Sequence, residues 1–250
     1  MSIMNVLKEL YNKSKIWFAV MWIITYCVLL SVGDALSALI GIEKSVTLAI
    51  GILLLAILLL FLKKNGLLAE YGLCVPKTSA RSMLYYIPSL VMLTANLWYG
   101  VSLNYGVLET ILYILAMLCV GFLEEMIFRG LLFEAMRKDS VKAAIIISSL
   151  TFGIGHIINL INGSGAELIL NLLQVVYATA AGFMFVMMYY KSKSLIVCIA
   201  AHGAFNAFSV FANEVNATAE MRILSAILLT AITGSYALCL ALSIKNISEK

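Results

Sequence analysis

The sequence has few charged residues and almost no proline. Of its 250 residues, 12% are charged and 63% are hydrophobic, and the only prolines are Pro76 and Pro88. Soluble domains contain about 25% charged residues, so this composition excludes a soluble domain and predicts a membrane protein. The net charge of +4 follows from basic residues at the ends of apolar segments. It gives no indication of a nucleic-acid partner, and we predict none.

Paired cysteines and a cleavable leader are missing as well. The five cysteines show no CxxC spacing and four of them lie in apolar segments, which argues against a disulfide framework or a thiolate metal site. Residues 1–15 are basic and polar, whereas a signal peptide has a short apolar stretch before a small-residue cleavage site. We therefore predict a single membrane-embedded domain over residues 1–250, without a removable signal peptide.

Long apolar runs are abundant, and eight of them can cross a bilayer as helices. A transmembrane helix needs about 20 apolar residues, and such windows lie at roughly 17–41, 45–62, 83–101, 107–133, 143–161, 167–190, 194–212 and 223–244. Asp34 interrupts the first window, so its helix either continues to residue 41 or ends near Val32, with the rest forming an interfacial segment. The fold class predicted is all-α: a polytopic membrane helical bundle with about eight transmembrane helices.

The lysines and arginines predict how this bundle lies in the membrane. If eight helices cross the membrane in alternating directions, fourteen of the 17 lysines and arginines fall on one side. Only Lys44 and Arg222 fall on the other side, and Arg129 lies inside a span. Basic residues accumulate in cytoplasmic loops. Both termini are therefore predicted to be cytoplasmic.

Strongly polar residues occur at one depth in three of these spans. At a rise of 1.5 Å per residue, Glu124, His156 and Asn206 each lie about 20 Å from the nearest basic residue at the cytoplasmic rim. A charged side chain at the bilayer centre costs from about 2.5 to more than 10 kcal/mol, which favours a single functional site. The alternative is that these residues only form hydrogen bonds between helices.

Helical spacing divides the polar residues into pairs. Glu125 and Arg129 are four residues apart and can pair on one helix face, whereas Glu124 points about 100° away. We therefore expect Glu125 and Arg129 to support the site and Glu124 to be available for chemistry. His202 and Asn206, also four residues apart, would present an imidazole and an amide to the same point.

These side chains are sufficient to hydrolyse a peptide bond without a covalent intermediate. Glu124 and His156 can activate a water molecule, while His202 and Asn206 can stabilise an oxyanion. The sequence contains no GxSxG motif, which is the pattern that would indicate a serine nucleophile. A zinc site formed by Glu124, His156 and His202 is the alternative, but the HExxH motif is missing, and we favour a route without metal or other cofactor.

Three motifs in chain order resemble those of the CPBP family, the CAAX proteases and bacteriocin-processing enzymes that are also called the Abi family. They are Glu124-Glu125-x-x-x-Arg129, Phe152-x-x-x-His156 and His202-x-x-x-Asn206. The resemblance covers roughly residues 70–210, which would form the catalytic core. Residues 1–66 would then form N-terminal helices, and residues 211–250 a C-terminal helix.

The resemblance implies an intramembrane endopeptidase similar to type II CAAX prenyl endopeptidases. By it, Glu124 and His156 activate water, and His202 and Asn206 stabilise the oxyanion. The family is often labelled metalloprotease, which keeps zinc open. The implied partners are the lipid bilayer and a membrane-associated substrate, either of CAAX type or a bacteriocin, leader or signal peptide. Short loops and the absence of an appended domain favour a prokaryotic cell membrane.

Two other functions are compatible with the same residues. A non-catalytic membrane protein for bacteriocin self-immunity or regulation would act by binding a toxin or a sensor. A small transporter would use the carboxylates as a proton relay, although the internal repeat usual in transporters is missing. Retention of function in Glu124→Gln would favour binding, because that change preserves shape and removes the base.

Overall fold

The computed structural model describes residues 3–84, 86–160, 167–213 and 215–243, with only the backbone described at Tyr86. Over these ranges the regular secondary structure is helical, apart from one isolated antiparallel bridge between Val101 and Ala212. The all-α prediction is confirmed for this part of the chain. All five cysteines are free.

Eleven α-helices are present in the described ranges. They are α1 Ile3–Lys13, α2 Lys15–Ile40, α3 Ser45–Lys64, α4 Ala80–Met83, α5 Tyr86–Thr94, α6 Val107–Glu124, α7 Glu134–Met136, α8 Val141–Gly155, α9 Leu168–Ser192, α10 Ile196–Phe208 and α11 Ala219–Ser243. A π-helical segment, Glu125–Phe133, joins α6 to α7 without a break. A short 3₁₀ turn, His156–Leu160, continues α8.

Six helical stretches are long and apolar enough to cross a membrane. They are Lys15–Ile40, Ser45–Lys64, Val107–Met136, Val141–Leu160, Leu168–Ser192 and Ala219–Ser243. The two other predicted windows contain shorter apolar helices, Ile87–Leu97 and Ile196–Phe211. A multi-pass membrane protein is therefore supported, while eight crossings and cytoplasmic termini stay predictions. The terminal residues 1–2 and 244–250 lie outside the described ranges.

Helix α2, which contains the first predicted span, does not end near Val32. It continues to Ile40 and ends at Gly41, whose φ of 76° is readily adopted by glycine. The Asp34 carboxylate accepts hydrogen bonds from Lys44 at 2.8 Å and from Thr47 at 2.6 Å, across the α2–α3 connection. Because Lys44 compensates the charge and Thr47 donates a further hydrogen bond, the helix tolerates an aspartate in its last turns.

The centre of the bundle is the continuous α6–π–α7 rod. Helices α3 and α10 pack against α6, while α2 and α8 pack against the π-helical segment, and α9 packs between α8 and α11. The backbones of α6 and α10 approach each other closely, since a Cβ atom on Gly121 would lie 2.6 Å from the Cα of Gly203. Small residues permit such contacts between membrane helices. This contact holds the helix that carries Glu124 against the one that carries His202.

Gly121→Ala is expected to push α6 and α10 apart, because its Cβ would meet the backbone of Gly203 rather than a movable side chain. Overpacking of this kind destabilises proteins by about 1–3 kcal/mol, and occasionally more. The measurement is thermal unfolding in detergent. Gly234→Ala in α11 is the control, since nothing lies within 4 Å of its added Cβ. Equal melting temperatures for Gly121→Ala and the wild type would contradict the close packing.

Candidate active site

Two adjacent carboxylates lie where α6 changes into the π-helical segment. Glu124 is the last residue of α6 and Glu125 the first of the π-helical turns. Both are buried, with 9% and 0% of their surface exposed. Single π-helical turns occur often at functional sites. Here the widened turns place both carboxylates inside the bundle.

Arg129 lies beside Glu125, as the helical spacing suggested. Its Nη1 atom donates to Oε1 of Glu125 at 3.0 Å, and both side chains are fully buried. The guanidinium also lies over two aromatic faces, with its Cζ 4.0 Å from the ring centre of Phe152 and 5.5 Å from that of Phe185. Such cation–π contacts are strongest when water is excluded. Its charge is therefore compensated from three sides.

His202 connects the two glutamates. Its Nδ1 lies 2.8 Å from Oε1 of Glu125, and its Nε2 lies 3.3 Å from Oε2 of Glu124. The imidazole is stacked on Phe185, with ring centres 5.4 Å apart and planes at 21°. Both ring nitrogens thus face carboxylate oxygens. An oxyanion contact from His202 would require the ring to give up its contact with Glu124.

His156 lies at the end of α8, where the helix tightens into the 3₁₀ turn. Nδ1 of His156 is 3.1 Å from the carbonyl oxygen of Phe152. The side-chain amide of Asn171 donates to the backbone carbonyl oxygen of His156 at 2.9 Å. When Nδ1 carries the proton and donates to that carbonyl, Nε2 has its lone pair available. A neutral imidazole in this tautomer can bind or deprotonate water.

Three of the predicted site residues share one cavity of about 250 Å³. Its wall includes the carboxylate residue Glu124, the imidazole residue His156 and the amide residue Asn206. The remaining polar lining comes from Tyr26, Ser31, Asp34, Thr47, Asn159 and Gln174. A second, mainly apolar cavity of about 70 Å³ is lined by His202, His156 and Asn206. Thus His156 and Asn206 line both cavities, whereas His202 lines only the second one.

The larger cavity extends from Glu124 toward one end of the bundle. Its lining continues along α2 from Tyr26 to Asp34 and reaches Thr47, near the first residue of α3. The backbone N–H of Glu43 donates to Oε1 of Glu109 at 3.0 Å, which places the start of α6 at this same end. The cavity therefore extends away from the end that carries Lys63 and Lys64.

Tyr26 is a site residue that the sequence analysis missed. Its hydroxyl donates to Oε1 of Glu124 at 2.8 Å, although the two residues are 98 positions apart. A sequence signal did exist, because Tyr26 lies about 17 Å along the helix from Lys15. That depth is close to the depth of the other polar residues. Because a tyrosine is compatible with an apolar helix, its depth alone does not mark it as a site residue.

The metal alternative finds no ligand set in the described residues. These ranges contain no group of three or more histidine, cysteine, aspartate or glutamate side chains placed to hold a metal ion. Nε2 of His202 lies 3.3 Å from Oε2 of Glu124, and its Nδ1 lies 2.8 Å from Oε1 of Glu125. The arrangement does not fit the zinc site formed by Glu124, His156 and His202, and we derive no step through zinc.

Comparison with known proteins identifies a protease family. Residues 106–208 match the family model described as type II CAAX prenyl endopeptidase Rce1-like. The matched range contains the three motifs quoted above, and the match confirms the resemblance to CAAX proteases. No curated protein and no solved structure matched the chain. The family supports a peptidase that acts in a membrane.

Proposed function

We propose that this chain, whose residues 106–208 match the Rce1-like family, is an intramembrane endopeptidase that uses activated water. Its substrate would be a membrane-associated protein or peptide, with CAAX-type ends as the first class to test. One observation carries the proposal: a carboxylate, an imidazole and an amide line a single cavity inside an apolar bundle. These groups suffice for general-base hydrolysis with oxyanion stabilisation.

Glu124 is the proposed general base. Its carboxylate lines the cavity and is held by Tyr26 on Oε1 and by His202 on Oε2. A water molecule in the cavity would transfer a proton to this carboxylate while its oxygen attacks the scissile carbonyl. His156 would orient the same water through Nε2, and Glu124 would then pass the proton that it took from water to the leaving amine. Positioned proton transfer of this kind contributes roughly 10²- to 10⁴-fold to the rate.

Asn206 is the proposed oxyanion donor. It lines both cavities beside His156, so its amide N–H can be directed at the carbonyl oxygen of a peptide bound there. Loss of one such donor typically lowers kcat by roughly 10²- to 10³-fold. His202 would join as a second donor once substrate displaces its contact with Glu124. Glu125 and Arg129 would keep that histidine in place.

The decisive experiment compares new peptide termini in membranes of cells that express the wild type or Glu124→Gln at matched levels. Termini that appear only with the wild type would establish proteolysis and identify the substrate. A matched control is Glu134→Gln, because Glu134 is also buried and binds Tyr189 at 2.7 Å, but it does not line the cavity. If the wild type and Glu124→Gln give the same termini while the cellular phenotype persists, binding replaces proteolysis as the function.

A further inference from the structure

The Glu124 carboxylate is held from two different helices. Tyr26 of α2 donates to Oε1 at 2.8 Å, and Nε2 of His202 of α10 lies 3.3 Å from Oε2. The terminal torsion of a free glutamate is broad and only weakly restricted. Before substrate binds, one partner on each oxygen defines the plane of the carboxylate, and Tyr26 keeps its oxygen when substrate displaces the contact of His202. The direction in which its remaining lone pairs point is thereby set.

The fold places Tyr26 for this contact. It lies on the buried stripe of α2, one helical turn from Trp22 and from Leu30, and only 8% of its surface is exposed. A buried tyrosine hydroxyl needs a hydrogen-bond partner, and here the partner is Glu124. Tyr26 also lines the cavity of about 250 Å³ together with Glu124 and His156. The hydroxyl is therefore at the wall where water would be activated.

We propose that Tyr26 is a positioning residue that aligns the Glu124 carboxylate for its reaction with water. The inference rests on the proposed function and extends it, because Tyr26 lies outside residues 106–208. The N-terminal helix α2 thus completes the site rather than only anchoring the chain. Tyr26 keeps its proton throughout, and no bond to it forms or breaks.

The alignment has two chemical consequences. A donor on Oε1 stabilises the ionised carboxylate, which is the form that accepts a proton. It also prevents rotation of the carboxylate away from the water, and a displacement of about 1 Å can reduce a rate roughly 100-fold. The other titratable groups that contact Glu124 or share its cavity are His202 of α10, His156 at the end of α8, and Cys27 and Asp34 of α2.

Tyr26→Phe tests the proposal, because it removes only the hydroxyl. With a farnesylated, internally quenched CAAX peptide as the probe and purified protein in detergent, we expect kcat to fall roughly 10- to 100-fold with KM within about twofold. The acid limb of the pH profile of kcat should move to higher pH. A smaller fraction of correctly folded enzyme would lower the apparent kcat, but it would not shift the acid limb of the pH profile. Unchanged kcat and pH profile would overturn the positioning role.

Tyr189→Phe is the matched control. Tyr189 is also buried and donates to another glutamate, Glu134, at 2.7 Å, but it does not line the cavity beside Glu124. This variant should lose a comparable amount of thermal stability and keep the wild-type kcat and pH profile. If both tyrosine variants lose activity equally, the effect of Tyr26 is structural and the proposal fails.

A thermal-stability cycle tests the contact without using activity. We would measure the thermal stability in detergent of Tyr26→Phe, Glu124→Ala and the double variant. The double variant should lose less stability than the sum of the losses in the two single variants. If the stability cycle shows coupling but the wild type does not cleave the probe, the proposed cleavage of CAAX peptides is wrong, and the contact between Tyr26 and Glu124 is supported. If Glu124 is essential for cleavage while Tyr26→Phe behaves as wild type and shows no coupling, only the Tyr26 proposal fails.

Discussion

Replacing Arg129 with methionine is expected to destabilise the protein by about 3–5 kcal/mol, since it leaves a buried carboxylate without its cation. The guanidinium and Glu125 are both fully buried and lie 3.0 Å apart. Methionine matches much of the arginine volume, so the loss reports the charge and its hydrogen bond rather than a cavity. The measurement is the unfolding midpoint in detergent, together with the yield of folded protein from membranes.

Arg137→Met is the control for this prediction. Arg137 forms an ion pair with Glu134 three residues earlier, but 35% of its side chain is exposed. Exposed pairs are typically worth about 0–1 kcal/mol, so this variant should melt close to the wild type. Similar melting temperatures for Arg129→Met and Arg137→Met would contradict a charge-compensating role for Arg129.

The double variant Glu125→Gln/Arg129→Met should recover most of the lost stability. Within the described residues, Oε2 of Glu125 and Nε and Nη2 of Arg129 have no hydrogen-bond partner. A buried pair with unsatisfied atoms gains little over neutral residues of similar volume. Recovery of folding without recovery of cleavage would mean that the pair serves to hold His202. No recovery would mean that the pair itself stabilises the fold.

The local part of the site was predictable from helix geometry. A spacing of four residues placed Glu125 beside Arg129, and the structure has that contact. Depth counting placed Glu124, His156 and Asn206 at one level, and they share a cavity. Both arguments need only the helical rise and repeat, which long apolar helices preserve.

The rest of the site depends on contacts between distant segments. Tyr26 reaches Glu124 across 98 positions, and no spacing rule connects the two. The π-helical turns from Glu125 onward lack a local composition that would distinguish them from α-helix. The predicted span 83–101 is interrupted after Met83, where Leu84 has a φ of 51°. Packing rather than sequence periodicity decides these features.

Glu124→Gln and His156→Gln are each expected to lower kcat by roughly 10²- to 10⁴-fold, because both groups would act on the same water. Each substitution retains a polar side chain of similar size. The described side-chain hydrogen bond of His156 goes to Phe152 in its own helix, so His156→Gln should melt near the wild type. The measurements are kcat with the farnesylated peptide and the melting temperature in detergent.

The double variant Glu124→Gln/His156→Gln distinguishes one catalytic unit from two independent groups. Residues that act as a unit are strongly non-additive, so the double variant should be about as active as the worse single variant. If the two losses multiply instead, Glu124 and His156 act in different steps, and the shared water is wrong. Both residues line the cavity of about 250 Å³, and the proposed water would contact the carboxylate and the imidazole together. Non-additivity is what a shared water requires.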